Sequence, residues 1–307
     1  MTAMRAAVDD YLEIRRRLGF QLERAGELLP DFASYLEQAG AEHLTSELAL
    51  AWATLPAGVH PAWWRQRLGI VRGFARHLQT IDPQSEVPLD LLRAHWSRVT
   101  PYLYAPAEVV ALMEAARGLM PPLRAATSET LVGLLAVSGL RLGEALALDR
   151  ADVDLDGGVL LVRRAKHGNL REVPLHESTC RALGDYGRLR DRHWPEPATA
   201  AFFVSGRGLR LPMGAFHAAF RTLVRDAGLE GRGGRCRPRP HDLRHSFAVT
   251  TLLDWYRAGA DVDARLPLLS TYLGHVDPAS TYWYLQAAPE LLALAGQRLD
   301  QVLRELP

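Results

Sequence analysis

Four prolines, Pro83, Pro88, Pro101 and Pro106, fall between positions 83 and 106 of this 307-residue chain. Each lacks a backbone N–H and clashes with the preceding helical turn, so no continuous helix crosses the region. The stretch from Ile81 to Pro106 therefore reads as a linker region between two bodies, and the length suits two ordinary domains. Composition is that of a globular chain, 48% hydrophobic and 23% charged. No apolar run is long enough to span a bilayer and the N-terminus has no signal-peptide core, so a soluble, cytoplasmic protein without membrane contact is expected. Cys180 and Cys236 provide no disulfide framework and no Cys-x-x-Cys metal spacing.

The first body reads as four short helices. Met4 to Leu18 stops at Gly19, and Leu22 to Ala39 stops at Gly40. Thr45 caps a third helix through Thr54. A fourth starts after Pro61 with an apolar stripe of Trp64, Leu68, Val71, Ala75 and Leu78. Arg65, Arg72 and Arg76 fall off that stripe and give the helix a wet basic face. The second body is mostly helical. Helices are expected from Pro106, over Leu123 to Val137 and shortly after Gly139. Later ones cover Ser178 to Arg192, Met213 to Ala227, Pro240 to Ala258, Ala264 to Leu273, Ala279 to Gln286 and Pro289 to Leu306. Two β-rich runs, Gly158 to Ala165 and Leu170 to Leu175, flank His167-Gly168-Asn169, a hairpin signal.

A net charge of +1 conceals where the charge sits. Phe203 to His245 holds nine arginines against three acids, and Pro61 to Thr80 holds four arginines and no acid. Two basic surfaces on a nearly neutral chain point to a polyanionic partner, although solvated helix faces would give the same count.

Four local clusters could carry chemistry. In Ser138-Gly139-Leu140-Arg141-Leu142-Gly143-Glu144, Arg141 opens a short helix and Glu144 is spaced to hold it. Lys166 is the one lysine beside 35 arginines and flanks the hairpin turn. An ammonium group can surrender a proton at reachable pH and a guanidinium cannot. In Pro240-His241-Asp242-Leu243-Arg244-His245, His241 and Arg244 share a face of the first helical turns. The spacing of His241 and His245 also suits a zinc pair, but no further ligands follow, and no metal is expected. Leu273-Gly274-His275 precedes Tyr282 and Tyr284, either of which could approach the same point. Two arginines, histidines, a lysine and a tyrosine together suit a phosphodiester. Guanidiniums grip its oxygens, a phenol attacks phosphorus in line, and the lysine protonates the departing sugar oxygen.

From about Tyr102 onward the chain resembles the tyrosine recombinases of the phage-integrase and Xer type. Gly139-Leu140-Arg141, Lys166 in the hairpin before Arg171-Glu172-Val173-Pro174-Leu175, His241-Asp242-Leu243-Arg244-His245, and Leu273-Gly274-His275 with Tyr284 nine residues later resemble its motif boxes. The resemblance implies a mainly α fold with a small antiparallel β-sheet. Residues 1–98 would form a helical, SAM-like core-binding domain that clamps DNA, 99–106 a linker, and 107–307 the catalytic domain. It implies that Arg141 and Arg244 clamp the scissile phosphate and that Tyr284 attacks to give a 3′-phosphotyrosyl enzyme. Lys166 would be the general acid, His241 would assist proton removal or hold the phosphate, His275 would hydrogen-bond a phosphate oxygen, and Glu144 would orient Arg141.

No metal or nucleotide cofactor is implied. The implied partner is double-stranded DNA with paired sites, bound by a homotetramer whose C-terminal helix (Leu292, Ala295, Leu299, Val302, Leu306) docks on a neighbour. Phosphate contacts are expected from Arg65, Arg67, Arg72 and Arg76 on one side and from Arg207, Arg232, Arg235, Arg237 and Arg239 on the other. The chain begins with the helical region, like the two-domain members of the family, and its arginine preference fits a GC-rich, mobile-element setting. A type IB topoisomerase and a non-catalytic DNA-binding protein on the same fold are the alternatives, and Tyr282 is the rival nucleophile.

Overall fold

The computed structural model describes residues 2–92, 100–163, 170–196, 198–275, 280–282, 284, 290, 291, 293 and 296. Lys166, the hairpin turn, Trp283 and the apolar positions expected along the C-terminal helix lie outside the described residues. The chain divides into two compact units, Met1–Arg98 and Val99–Pro307. Among the described residues, no helix is long and apolar enough to cross a membrane.

The first unit holds α1 (Ala3–Arg17), α2 (Glu23–Gln38), α3 (Ser46–Thr54) and α4 (Pro61–Leu78). Thr45 accepts from the Leu48 amide at the start of α3, and the His60 ring accepts from the Ala62 amide beside Pro61. Val8, Leu29, Phe32, Leu36, Trp52, Leu68, Val71 and Phe74 close a single core. Arg67, expected among the phosphate contacts, is buried instead. It is only 7% exposed, its guanidinium lies 3.7 Å over the Trp52 ring, and it donates to the Trp52 carbonyl at 2.9 Å. Position 67 is four residues before Val71 on the apolar stripe, so its stem is buried and the cation takes an aromatic face and a carbonyl.

The expected linker region is mostly not free chain. The Glu86 amide donates to the Leu44 carbonyl, the Ser85 hydroxyl accepts from the Leu44 amide, and Val87 and Leu92 pack on the first core. Tyr102 and Tyr104 are buried in the second unit instead, with the Tyr104 amide donating to the Ser246 hydroxyl.

The second unit holds α5 (Pro106–Arg117), α6 (Pro122–Ser138), α7 (Leu142–Ala147), α8 (Glu177–His193), α9 (Met213–Asp226), α10 (Pro240–Arg257) and α11 (Val262–Leu273). Between α7 and α8 lies an antiparallel sheet of β1 (Val153–Asp154), β2 (Val159–Val162) and β3 (Arg171–Pro174), in the order β1-β2-β3. The two-residue β1 has no alternating pattern to announce it. Leu160, Val162 and Val173 face the core, and period two puts Arg171 on the same face as Val173. The apolar α6 packs against α5, α8, α9 and α10. Residues 280–282 and 284 are helical, so Tyr284 shares a core with Ala248, Leu252, Leu266 and Leu273.

Gly139 ends α6 in the left-handed conformation (φ +61°). A Cβ there would lie 2.5 Å from Phe247 Cδ1 and 3.0 Å from Leu273 Cδ2. Only glycine lets α10 and α11 approach this closely. Gly139→Ala is therefore expected to lower stability by at least about 2 kcal/mol, combining left-handed strain with the clash. Urea unfolding followed by circular dichroism measures it.

Candidate active site

Arg244 lies at the centre of the site. It emerges from the second turn of α10 and is 1% exposed. Its Nη1 donates to the Gly139 carbonyl at 2.7 Å and its Nη2 to the Leu273 carbonyl at 2.8 Å. These carbonyls sit at the C-terminal ends of α6 and α11, which carry free acceptors and partial negative charge. The guanidinium also donates to the Tyr284 hydroxyl. Burial first, and then the charge of Arg141, pulls the Arg244 pKa down to about 10, still fully cationic at neutral pH.

Arg141 precedes α7 and is held by Glu144 as the spacing predicts. The Arg141 amide donates to Glu144 Oε2 at 2.9 Å, and Nη1 donates to Oε1 at 2.7 Å. Its Nη2 donates to the Gly274 carbonyl at 3.1 Å, which ties it to the turn bearing His275. Glu144 also binds Arg171, at 3.1 and 2.7 Å, a partner not foreseen from the sequence. Burial pushes the Glu144 carboxyl up, but the Arg171 hydrogen bond and then the Arg141 amide outweigh it, leaving the pKa below the usual carboxylate range.

Three imidazoles complete the group. The His275 ring stacks 5.9 Å from the Tyr284 ring, and its Nδ1 is 2.7 Å from the buried Thr281 hydroxyl. His245, absent from the expected catalytic set, lies edge-on to Tyr284 at 5.4 Å and to His241 at 4.7 Å. Its place in the His-Asp-Leu-Arg-His box was the available signal. Among the described residues, no group of three His, Cys, Asp or Glu could hold a metal ion. Tyr284 is 2% exposed beside Arg244, whereas Tyr282 is 51% exposed. The structure thus brings Arg141, Glu144, His241, Arg244, His275 and Tyr284 together; Lys166 lies outside the described residues.

The expected phosphate contacts separate. Arg65, Arg76, Arg207, Arg235 and Arg237 are exposed. Arg72 is half-buried, donating to the Pro88 carbonyl and pairing, like Arg65, with Asp90. Arg239 is engaged by both oxygens of the buried Asp242 at 2.9 and 2.8 Å. Arg232 binds Glu108 and lies 4.2 Å over the Tyr102 ring.

The histidines set a pH dependence. Burial, followed by Arg244, Arg141 and Arg239, lowers His241 to about 4. Burial and then His241 and Arg239 lower His245 to about 3, while burial and then Arg244 and Arg141 lower His275 to about 4. Each binds its proton less tightly in the folded chain than in the unfolded one. Stability should be fully present above about pH 7 and fall as pH drops through the unfolded histidine value of about 6.5 toward 4. His241 keeps more than a third of its surface exposed despite packing on His245, so its share should be the smallest. Urea midpoints against pH test this: His245→Gln or His275→Gln should flatten the slope between pH 4 and 6.5, and an unchanged slope would refute it.

A model of the phage integrase family matches residues 104–290. The chain is 46% identical over 308 aligned residues to y4rB of Sinorhizobium fredii (strain NBRC 101917 / NGR234), which bears the name integrase/recombinase, covering 98% of each chain. The fold is similar to that of the Tn1549 transposon integrase in complex with transposon right end DNA (TM-score 0.65, 16% identity, 97% of this chain and 99% of that one). It is also similar to the XerH site-specific recombinase in a post-cleavage complex with palindromic difH (TM-score 0.63, 19% identity, 89% and 78%). With the matched segment spanning most of the second unit and y4rB aligned end to end, the chain belongs to the phage integrase family, the tyrosine-type site-specific DNA recombinases.

Proposed function

We propose that this chain cuts and rejoins DNA at paired sites through a 3′-phosphotyrosyl intermediate on Tyr284. The placement of Tyr284 carries the reading. Its phenol is hydrogen-bonded by a buried cation and flanked by two imidazoles, while Tyr282 faces solvent.

Arg141 and Arg244 hold the scissile phosphate and offset the charge that grows on five-coordinate phosphorus. The Tyr284 oxygen forms a bond to phosphorus as the bond to the 5′-oxygen breaks. The phenolic proton passes to the imidazole group beside it, His241 assisting that transfer or holding the phosphate, and Lys166 protonates the leaving 5′-oxygen. His275 donates to a phosphate oxygen, and Glu144 orients Arg141. A 5′-hydroxyl from the partner duplex then attacks the phosphotyrosine in the reverse sense. The ester keeps the energy of the cut bond, so no ATP enters, and the guanidiniums supply the charge that a metal would otherwise bring. A tetramer assembles on two sites, the C-terminal helix docking on a neighbouring subunit once DNA is bound. Residues 1–98 form the second half of a DNA clamp.

A nicked suicide duplex, which loses the strand needed for religation, tests the nucleophile. The wild type and Tyr282→Phe should form a denaturation-resistant protein–DNA adduct and Tyr284→Phe none; the opposite pattern would reassign the nucleophile. For the clamp, Arg65→Ala and Arg76→Ala should each reduce the salt dependence of DNA binding by about one unit of log–log slope. Arg67→Met should leave that slope alone and lower the melting temperature, as a buried cation over Trp52 requires.

A further inference from the structure

Glu144 is a single carboxylate shared by two guanidiniums, and the division is unequal. Arg171 reaches both oxygens, whereas the Arg141 side chain reaches one, with its Nη2 turned to the Gly274 carbonyl. The Arg171 side chain is 10% exposed, against 27% for Arg141. Arg171 is itself fixed at two further points. Its Nε donates to the Tyr272 carbonyl at 3.0 Å, and its guanidinium lies against Gly274, where a Cβ would come within 2.6 Å of Nη1. Its backbone is paired with Val162 in the sheet. The cation that holds Glu144 is thus anchored to β3 and to the turn after α11, apart from the helix that carries Arg141.

We propose that Arg171 is a positioning residue of the recombinase site. By engaging both Glu144 oxygens, it limits the carboxylate to a single contact with the Arg141 guanidinium, the 2.7 Å bond to Oε1, and so leaves that guanidinium oriented and only partly offset, open toward an anion. Without Arg171, Glu144 rotates into a two-point pair with Arg141, the most favourable geometry open to a buried carboxylate beside one arginine. The scissile phosphate then competes with an internal anion for its clamp. Arg171 touches neither phosphate nor phenol and acts through Glu144. The inference rests on the proposed phosphotyrosyl chemistry at this site.

The test uses the full chain and a nicked suicide duplex bearing the site that the wild type selects from a randomised DNA library. Adduct formation is timed at saturating protein, with DNA affinity and melting temperature measured separately. Arg171→Gln should slow adduct formation about a hundredfold, the size of losing one preorganised charge contact, with little change in affinity. Adding Glu144→Gln removes the competing charge and should restore at least about tenfold of that loss. If Arg171 were merely structural, the double variant would be slower than the single one, and that result overturns the proposal. So does an Arg171→Gln variant that reacts at the wild-type rate. Should Arg171→Gln fail to fold, the same comparison is made in Arg171→Lys, where adding Glu144→Gln must speed the reaction and a slowing or no change overturns the proposal. A wild type that forms no adduct defeats the phosphotyrosyl reading itself, a result distinct from these.

Discussion

Burying a guanidinium without neutralising it is the constraint from which this site follows. Removing a cation from water costs several kcal/mol, and a neighbouring carboxylate is the usual compensation. Arg244 is instead held by the terminal carbonyls of two helices and a phenol. Dipoles lower the cost of burial without cancelling the charge, so the positive field persists for an incoming anion. The arrangement requires α6 and α11 to end at the same point, facing α10. Both end in left-handed glycines, Gly139 and Gly274, whose missing Cβ atoms make room for Phe247 in one case and Arg171 in the other. The glycines in the two sequence boxes are thus part of the electrostatics.

Burial first, and then the same field, lowers the imidazoles: His241, His245 and His275 all lie well below the ordinary histidine value, and a neutral ring can take a proton from a phenol. The arginine share of that lowering is the part that an anion between Arg141 and Arg244 would offset; the share due to burial is not.

Much of this was legible in the sequence because it is local. Helix ends follow from capping residues and glycines, the Arg141–Glu144 pair from a three-residue spacing, and the shared face of His241 and Arg244 from helical period. Arg171 was not legible as a partner of Glu144. The two are 27 positions apart, and only the sheet and the turn after α11 bring them together. Position 67 was legible in principle, since it lies on the apolar stripe of α4. Counting charge along that helix rather than around it made Arg67 a candidate for the surface. Prolines exclude helix without excluding burial, as Tyr102 and Tyr104 demonstrate, so the packing of the proline-rich stretch was not legible.

The basic stretch from Phe203 to His245 carries a related lesson about counting. Of its nine arginines, Arg244 is buried in the site, Arg210, Arg232 and Arg239 are held by Asp149, Glu108 and Asp242, and Arg225 pairs with Asp226 on the surface. Arg207, Arg221, Arg235 and Arg237 are exposed too, the last two on a turn closed by its own hydrogen bonds. The Arg232 amide donates to the Cys236 carbonyl, the Cys236 amide to the Gly233 carbonyl, and the Arg232 side chain fastens the turn to Glu108 and the Leu103 carbonyl. An ion-paired arginine can therefore fix neighbours that face outward. If Arg235 and Arg237 meet a duplex as proposed, a turn held this way has less backbone freedom to lose, and ordering a loose loop is a cost that weakens many charged contacts. A count of charges along the chain thus overstates what is left for a polyanion.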